Sequence, residues 1–355
     1  MLTGNKGEWS EIYALFKVLG DRELHPGNEE MEKIKDLVYP VLKVLRCESG
    51  HKFEYGIEDD FIIISGGREV LRIPVDEFRS RSQVLLREIK RNNGVFSIPE
   101  IEAFMTSISC LSLKASSSTK TDITIVIHDQ RTGLQPILGF SVKSQLGGAS
   151  TLLNAGKTTN FIFKIDGIVL SEAQINEINN KLKIKERIDC ISKFGGTLIF
   201  SKVESFVFEN NMKLIDSLLP EIIAECTCLY YTSFISKVSA LISNVAKKNP
   251  LAYAVGTGHP FYAYKMKHFL TDIALGMMPS KVWAGQFDAT GGYLVVKEDG
   301  DVLCYHIYNK NEFENYLLNN TKFETASTSR HEFGAVYKEG ADLYLKLNLQ
   351  IRFIK

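Results

Sequence analysis

The sequence predicts a mixed α/β (α+β) protein of two or three packed units. Three observations lead there. The first segment repeats apolar residues at helical spacing, and alternating apolar runs bounded by turn residues fill the middle and the end. The 355 residues also exceed the roughly 150 that one domain usually takes.

Taken in order, a first helix starts at Gly4 or Asn5, carries Trp9, Ile12, Tyr13, Leu15, Phe16 and Leu19, and stops at Gly20-Asp21. A second amphipathic helix is expected from about Glu30 to Leu45, kinked or split by Pro40. Short strands follow at FEYGI, FIIIS and VLRIPV, then a helix from Asp76 to Lys90 and a shorter one from Ile98. Lys114 to Thr119 is a polar linker without periodicity. Beyond it come the strands DITIVIHD and PILGFSVKS, joined by a turn at Gln130 to Gly133, and then NFIFKI. A helical piece near Glu172 to Leu182 and a strand TLIFSKV lead into a long helical pattern from Leu219 to Lys247, with Pro220 suited to a first turn. A helix from Tyr262 to Leu275, a hairpin GYLVVKEDGDVLCYHIY turning on Asp-Gly, and the alternating LYLKLNLQIRF complete the chain.

Composition excludes several classes. A hydrophobic fraction of 45% with 24% charged residues is that of an ordinary folded protein, not a disordered, collagen-like or coiled-coil one. No run approaches about 18 uncharged apolar residues, and MLTGNKGEWSEIY lacks the apolar stretch of a signal peptide, so a cytoplasmic location is expected. Lys plus Arg and Asp plus Glu number 42 each, which argues against nucleic-acid binding by bulk charge yet leaves room for a local basic groove. The six cysteines form no CxxC pair and are expected to be free or structural thiols. GxSxG, HExxH and HRD motifs are absent, and Gly256-Thr-Gly-His-Pro260 lacks the GK[ST] ending of a phosphate loop.

Chemistry concentrates around Asp122 and the run Gly139-Phe-Ser-Val-Lys-Ser144. Asp122 opens one strand, and Lys143 lies near the end of the next, across a turn, so the two strands are expected to be neighbours. Ser141 and Lys143 are two apart and share a strand face. A lysine among Ile137, Leu138, Phe140 and Val142 needs a partner or a task. Acid and lysine on adjacent strands form the minimal site for metal-assisted phosphodiester hydrolysis. The plainer alternative is a strand-end acid at a turn and a lysine reaching out of the sheet.

KTDITI followed by GFSVKSQLGGASTLLNAGKTTNFIF resembles the catalytic core of Type II restriction endonucleases with the PD-(D/E)xK fold. With NKGEWSEIY near the start and STSRHEFG and LNLQIRF near the end, the resemblance narrows to the HpaII restriction endonuclease family and runs over most of the chain. It implies a mixed sheet flanked by helices, double-stranded DNA as substrate, Mg²⁺ as cofactor and CCGG as target. The products implied carry 5′-phosphate and 3′-hydroxyl ends. It also implies a cognate methyltransferase as functional partner, with a homodimer on the palindromic site as one arrangement. Asp122 carries over as metal-binding acid and Lys143 as catalytic lysine. Ser141 departs from the superfamily pattern, because it stands where a second acid is expected. Glu8 and Glu11, on one face of the first helix, are the candidates to replace that acid, with Glu8 slightly preferred. A solvated helix face is their plainer reading, and Asp129 is an outside candidate that reads better as a turn residue.

Three regions follow from this: 1–113 with the acid-bearing helix, a catalytic core over 114–210, and a C-terminal mixed α/β DNA-recognition region over 211–355. Candidates for DNA contact are Ser144 and Gln145 in the Gly/Ser-rich run to Ser150, the polar set Lys157, Thr158, Thr159 and Asn160, and Lys265, Lys267 and His268 on a helix. Arg330, His331, Gln350 and Arg352 are the candidates for base contacts, since a G·C-only target needs several donors in the major groove. Two other readings stay open: a nuclease-like fold whose site has decayed into a DNA-binding module, and a repair nuclease reading DNA structure.

Overall fold

The computed structural model describes residues 1–48, 50–114, 121–130 and 132–355. Two compact units arise from separated stretches of chain: 1–150 with 287–316 and 355, and 151–286 with 317–354. These units do not follow the divisions near 113 and 210 expected from the sequence. The reason is strand pairing: a hairpin near residue 300 joins the sheet begun by the first hundred residues. Of the expected linker, only Lys114 is among the described residues; the remainder, to Thr119, lies outside them, as does Arg131 of the expected turn.

The first unit opens with α1 (Lys6–Asp21), β1 (Glu23–Pro26), β2 (Tyr39–Glu48), β3 (His51–Glu58), β4 (Phe61–Ser65) and β5 (Leu71–Pro74). It continues with α2 (Val75–Arg91), α3 (Pro99–Ser107), β6 (Ile123–Ile127) and β7 (Ile137–Ser144). The second unit takes β8 (Thr151–Leu153), β9 (Asn160–Asp166), α4 (Glu172–Asn179), α5 (Ile184–Lys193), β10 (Thr197–Val203), α6 (Phe206–Ile215), α7 (Leu219–Thr232), α8 (Val238–Lys248) and α9 (Phe261–Leu275). The chain then returns to the first unit with β11 (Gly292–Val296) and β12 (Val302–His306). It ends through α10 (Lys310–Asn319), β13 (Thr321–Phe323), α11 (Thr328–His331), β14 (Val336–Glu339), β15 (Asp342–Asn348) and β16 (Ile351–Phe353).

The sheet of the first unit runs in the order β1-β12-β11-β7-β6-β2-β3-β4-β5, with β1 also pairing to β2. It is mixed, because β6 and β7 are antiparallel whereas β7 and β11 are parallel. The expected Asp-Gly hairpin is β11–β12, with Gly300 at φ +99° in its turn. The second unit holds the sheet β10-β9-β15-β14 and the smaller β13-β16-β8. Among the described residues no helix is long and apolar enough to cross a membrane, and the six cysteines are free.

Two expected helices are corrected. The stretch expected to be helical up to Leu45 holds strand β2, paired with β3 on one side and β6 on the other. Its apolar residues fit helical spacing locally, but Val41 and Val44 bury themselves by sheet pairing, which overrides the local pattern. The long pattern from Leu219 is two helices, α7 and α8. The break follows Thr232 and Ser233, whose hydroxyls take the carbonyls of Cys228 and Leu229 at 2.9 and 2.7 Å.

Helix α1 begins as its sequence dictates. Asn5 Oδ1 accepts from the N–H of Gly7 at 2.8 Å and of Glu8 at 3.1 Å, while Glu8 Oε2 accepts from the Asn5 N–H at 2.9 Å. Its apolar face is fully buried through Trp9, Ile12 and Phe16. Phe16 meets Phe78 of α2 and Phe104 of α3 edge-on, with ring centroids 6.0 and 5.3 Å apart. Phe16→Ala should therefore lower unfolding stability by about 3–5 kcal/mol, read from the midpoint of urea denaturation, since the cavity lies where three helices meet.

Candidate active site

Register places the acid and the lysine. Ile123 of β6 pairs with Phe140 of β7, so Asp122, one step earlier, stands opposite Ser141. The Asp122 N–H donates to the Phe140 carbonyl at 2.9 Å, which extends the ladder to that residue. Ser141 Oγ donates to Asp122 Oδ2 at 3.0 Å, and the Val142 N–H donates to the same oxygen at 2.7 Å. Lys143 Nζ in turn donates to Ser141 Oγ at 3.0 Å. Acid, hydroxyl and ammonium thus form one hydrogen-bonded line on one face of the sheet. Tyr293, which pairs with Ser141 from β11, lies with its buried ring 4.8 Å from the Lys143 ammonium.

Helix α1 packs against β7 and brings two more carboxylates. Ser10 Oγ and Ser144 Oγ are 2.8 Å apart and tie the two elements together. The fates of Glu8 and Glu11 then differ. Glu8 completes the α1 capping box and pairs with Lys114 at 3.1 Å. The Asn5 N–H, with Lys114 adding to it, holds its carboxyl below the usual carboxylate range. Glu11 is half-buried, and burial together with the nearby Asp122 carboxylate raises its pKa from 4.5 to about 8. The Glu8 oxygens thus serve the helix end, whereas Glu11 shares its electrostatic environment with Asp122. Lys114 and Arg46 moderate the Glu11 shift. Arg46 is itself buried and ion-paired to Glu48.

Hollows open on two sides. One of about 600 Å³ has Glu11, Val142 and Ser144 in its lining. Another of about 360 Å³ is bounded by Asp122, Arg46, Lys52 and Phe53. Mg²⁺ binding requires only one or two protein carboxylates, the rest being water and substrate oxygens. Asp122 and Glu11 match that donor set. Among the described residues no group of three His, Cys, Asp or Glu side chains is disposed to hold a metal. Asp129, the outside candidate, is buried in the turn after β6, where Thr132 Oγ1 donates to its carboxylate at 2.9 Å.

A model of the HpaII restriction endonuclease family matches residues 5–353. The chain belongs to that family. It is 50% identical to the Type II restriction enzyme HpaII of Haemophilus parainfluenzae over 99% of both chains. It is thus a Type II restriction endonuclease, a site-specific deoxyribonuclease. No solved structure matches the chain.

The expected DNA contacts divide under the structure. Ser144 bonds Ser10, and Gln145 is half-buried, its side-chain amide 3.3 Å from the Met31 sulfur. Thr159 and Asn160 are fully buried, which removes them from any DNA surface. Asn348 donates to both, and Asn160 donates to Glu204 and to the His331 carbonyl. Their polarity serves the joint between β9 and β15. Thr158 is half-buried, and Lys157 pairs with Glu332 at 2.5 Å. Lys265 is ion-paired to Asp216, Lys267 is half-buried on α9, and the His268 ring lies tilted against Tyr264, centroids 4.2 Å apart. Arg330 is exposed at the end of the short α11, with His331 half-buried beside it. Gln350 is half-buried, and Arg352 pairs with Glu324 at 3.2 Å.

Sequence reasoning missed Tyr293, Arg46 and Ser10 as neighbours of the site. Tyr293 and Arg46 arrive by pairings across the sheet and Ser10 by helix packing, so no local spacing could have shown them.

The raised Glu11 pKa has a consequence for stability. Below about pH 4.5 both folded and unfolded chains hold the proton; between there and about 8 only the folded chain keeps it, so this group's contribution falls as pH rises through that window. Glu11→Gln should remove that dependence and be more stable than wild type at pH 8 by on the order of 2 kcal/mol, measured by urea denaturation across the pH range.

Proposed function

We propose that this chain cuts double-stranded DNA at CCGG by Mg²⁺-dependent hydrolysis, with Asp122 and Glu11 as metal-holding carboxylates and Lys143 as the catalytic lysine of a PD-(D/E)xK core. One observation carries the reading: the hydrogen-bonded line Asp122–Ser141–Lys143 beside a Glu11 that feels the Asp122 charge. A divalent ion held there would supply Lewis-acid polarisation of the phosphate and acidify the attacking water.

The protein groups have separable tasks. Asp122 is oriented by two donors on one oxygen, which leaves its other oxygen directed by a fixed carboxyl plane. Ser141 keeps the two charges in line without adding a third carboxylate, so it positions Lys143. The ammonium orients the nucleophilic water and offsets charge building on the phosphate. In-line attack by water on the phosphorus, with the P–O3′ bond breaking and the 3′ oxygen leaving, gives 5′-phosphate and 3′-hydroxyl ends. The family resemblance supports CCGG, a two-fold arrangement of two copies on the palindrome, and a methyltransferase protecting host DNA in the cytoplasm. Arg330, His331, Gln350 and Arg352 are the base-contact candidates, and Lys157, Thr158, Lys265 and Lys267 the candidates for phosphates.

Plasmid DNA incubated with protein and Mg²⁺ should give discrete fragments whose mapped ends share one site. Diffuse degradation, or ends at unrelated sequences, would overturn the assignment. Lys143→Ala and Glu11→Gln should each lower cleavage at least about 100-fold while site binding persists in gel-shift assays. Glu8→Gln keeps an acceptor for the Asn5 N–H and should stay within a few-fold of wild type.

A further inference from the structure

The hollow lined by Glu11 has a second feature that the acid–lysine chemistry does not use. Its other walls are Lys6 on α1, Asn93 and Gly94 after α2, and Gly147 and Gly148 after β7. Lys6 Nζ reaches the Lys90 carbonyl at 3.4 Å, which brings the basic end of α2, Lys90-Arg91, to the same rim. Lys90 and Arg91 are exposed, and neither they nor Lys6 has an acidic partner among the described residues. Lys6 thus lines a cleft whose wall carries an acid, and the exposed cations Lys90 and Arg91 lie in the chain just before Asn93 in that lining. The first amides of α1 do not supply anion donors here, since those of Gly7 and Glu8 already bind Asn5 Oδ1.

Glycine shapes the opposite wall. A Cβ at Gly147 would come within 3.2 Å of Lys6 Cβ, so a side chain there would press the loop and the lysine apart by a few tenths of an ångström. A Cβ at Gly148 would meet nothing within 4 Å, which leaves its backbone open to the cleft. Carboxylates that hold a metal repel a DNA backbone until cations beside them compensate.

We propose that this cleft seats the sugar-phosphate backbone of DNA next to the scissile linkage, with Lys6 and the Lys90-Arg91 pair as phosphate contacts and Gly147-Gly148 as the surface it runs against. The proposal rests on the nuclease reading of Asp122 and Lys143. Phosphate contacts set position and carry no sequence information, so they serve cognate and unrelated duplexes alike.

The test measures duplex binding by fluorescence anisotropy in EDTA over a range of KCl, with a CCGG duplex and an unrelated one. For Lys6→Ala/Arg91→Ala the slope of log K against log salt should shrink by about 2 for both duplexes, since each lost phosphate contact removes about 0.9. Their ratio of affinities should stay constant, and Lys6→Arg should bind as wild type. Gly148→Leu, at a position of ordinary backbone conformation, should weaken binding to both duplexes at unchanged net charge. In steady-state cleavage the double variant should raise KM about tenfold with kcat within a few-fold. Unchanged slopes and affinities in both the double variant and Gly148→Leu would overturn the proposal, and so would a loss confined to the CCGG duplex. If the slope shrinks in the variants of a wild-type protein that cuts with no divalent ion, the cleft stands and the Asp122–Lys143 reading falls.

Discussion

Asp122 faces Ser141 because β6 and β7 pair antiparallel with Ile123 opposite Phe140, and everything chemical in the first unit depends on that register. A slip by one residue would turn Ser141 and Lys143 to the other face of the sheet and leave Asp122 opposite an apolar neighbour. Neighbouring strands hold the register: β2 pairs with β6, β11 pairs with β7, and Tyr293 then lies beside the Lys143 ammonium. The acid and the ammonium are held in line by a large sheet.

Electrostatics separates residues that look equivalent in sequence. Glu8 and Glu11 occupy neighbouring turns of α1, yet one is held ionised by a helix-end amide and a lysine while the other is desolvated beside a second carboxylate. That difference follows from where α1 lies: its end must be capped, and its middle is pressed onto β7 through Ser10 and Ser144. Ser141 fits the same logic. A carboxylate there would face the Asp122 carboxylate directly, whereas the hydroxyl both accepts from Lys143 and donates to Asp122.

In the second unit much of the polar sequence serves the fold. Asn348 Nδ2 donates to Thr159 Oγ1 and Asn160 Oδ1 in a buried joint, which spares those oxygens the desolvation penalty of a buried unpaired group, while Asn348 Oδ1 is left without a partner among the described residues. Runs such as Lys157-Thr-Thr-Asn160 read as binding surface when only their polarity is considered. Burial divides them: the lysine is exposed, and the last two residues are interior.

The sequence by itself determined the local elements whose signals are short-range. These include the Asn5–Glu8 capping box that begins α1, the Asp-Gly hairpin, the alternating strands at Ile123 and Ile137, and the pairing that lets Asp122 meet Lys143. The family likeness was also legible there, because it lies in ordered residue runs. Tertiary structure decided what depends on distant pairing. Residues 39–48 became a strand because sheet neighbours on both sides buried Val41 and Val44 better than a lone helix could. A hairpin near residue 300 entered the sheet that carries Asp122, and Glu11 came within reach of the Asp122 charge. Local patterns encode periodicity and turns, whereas burial and charge coupling exist only once segments far apart in sequence are packed together.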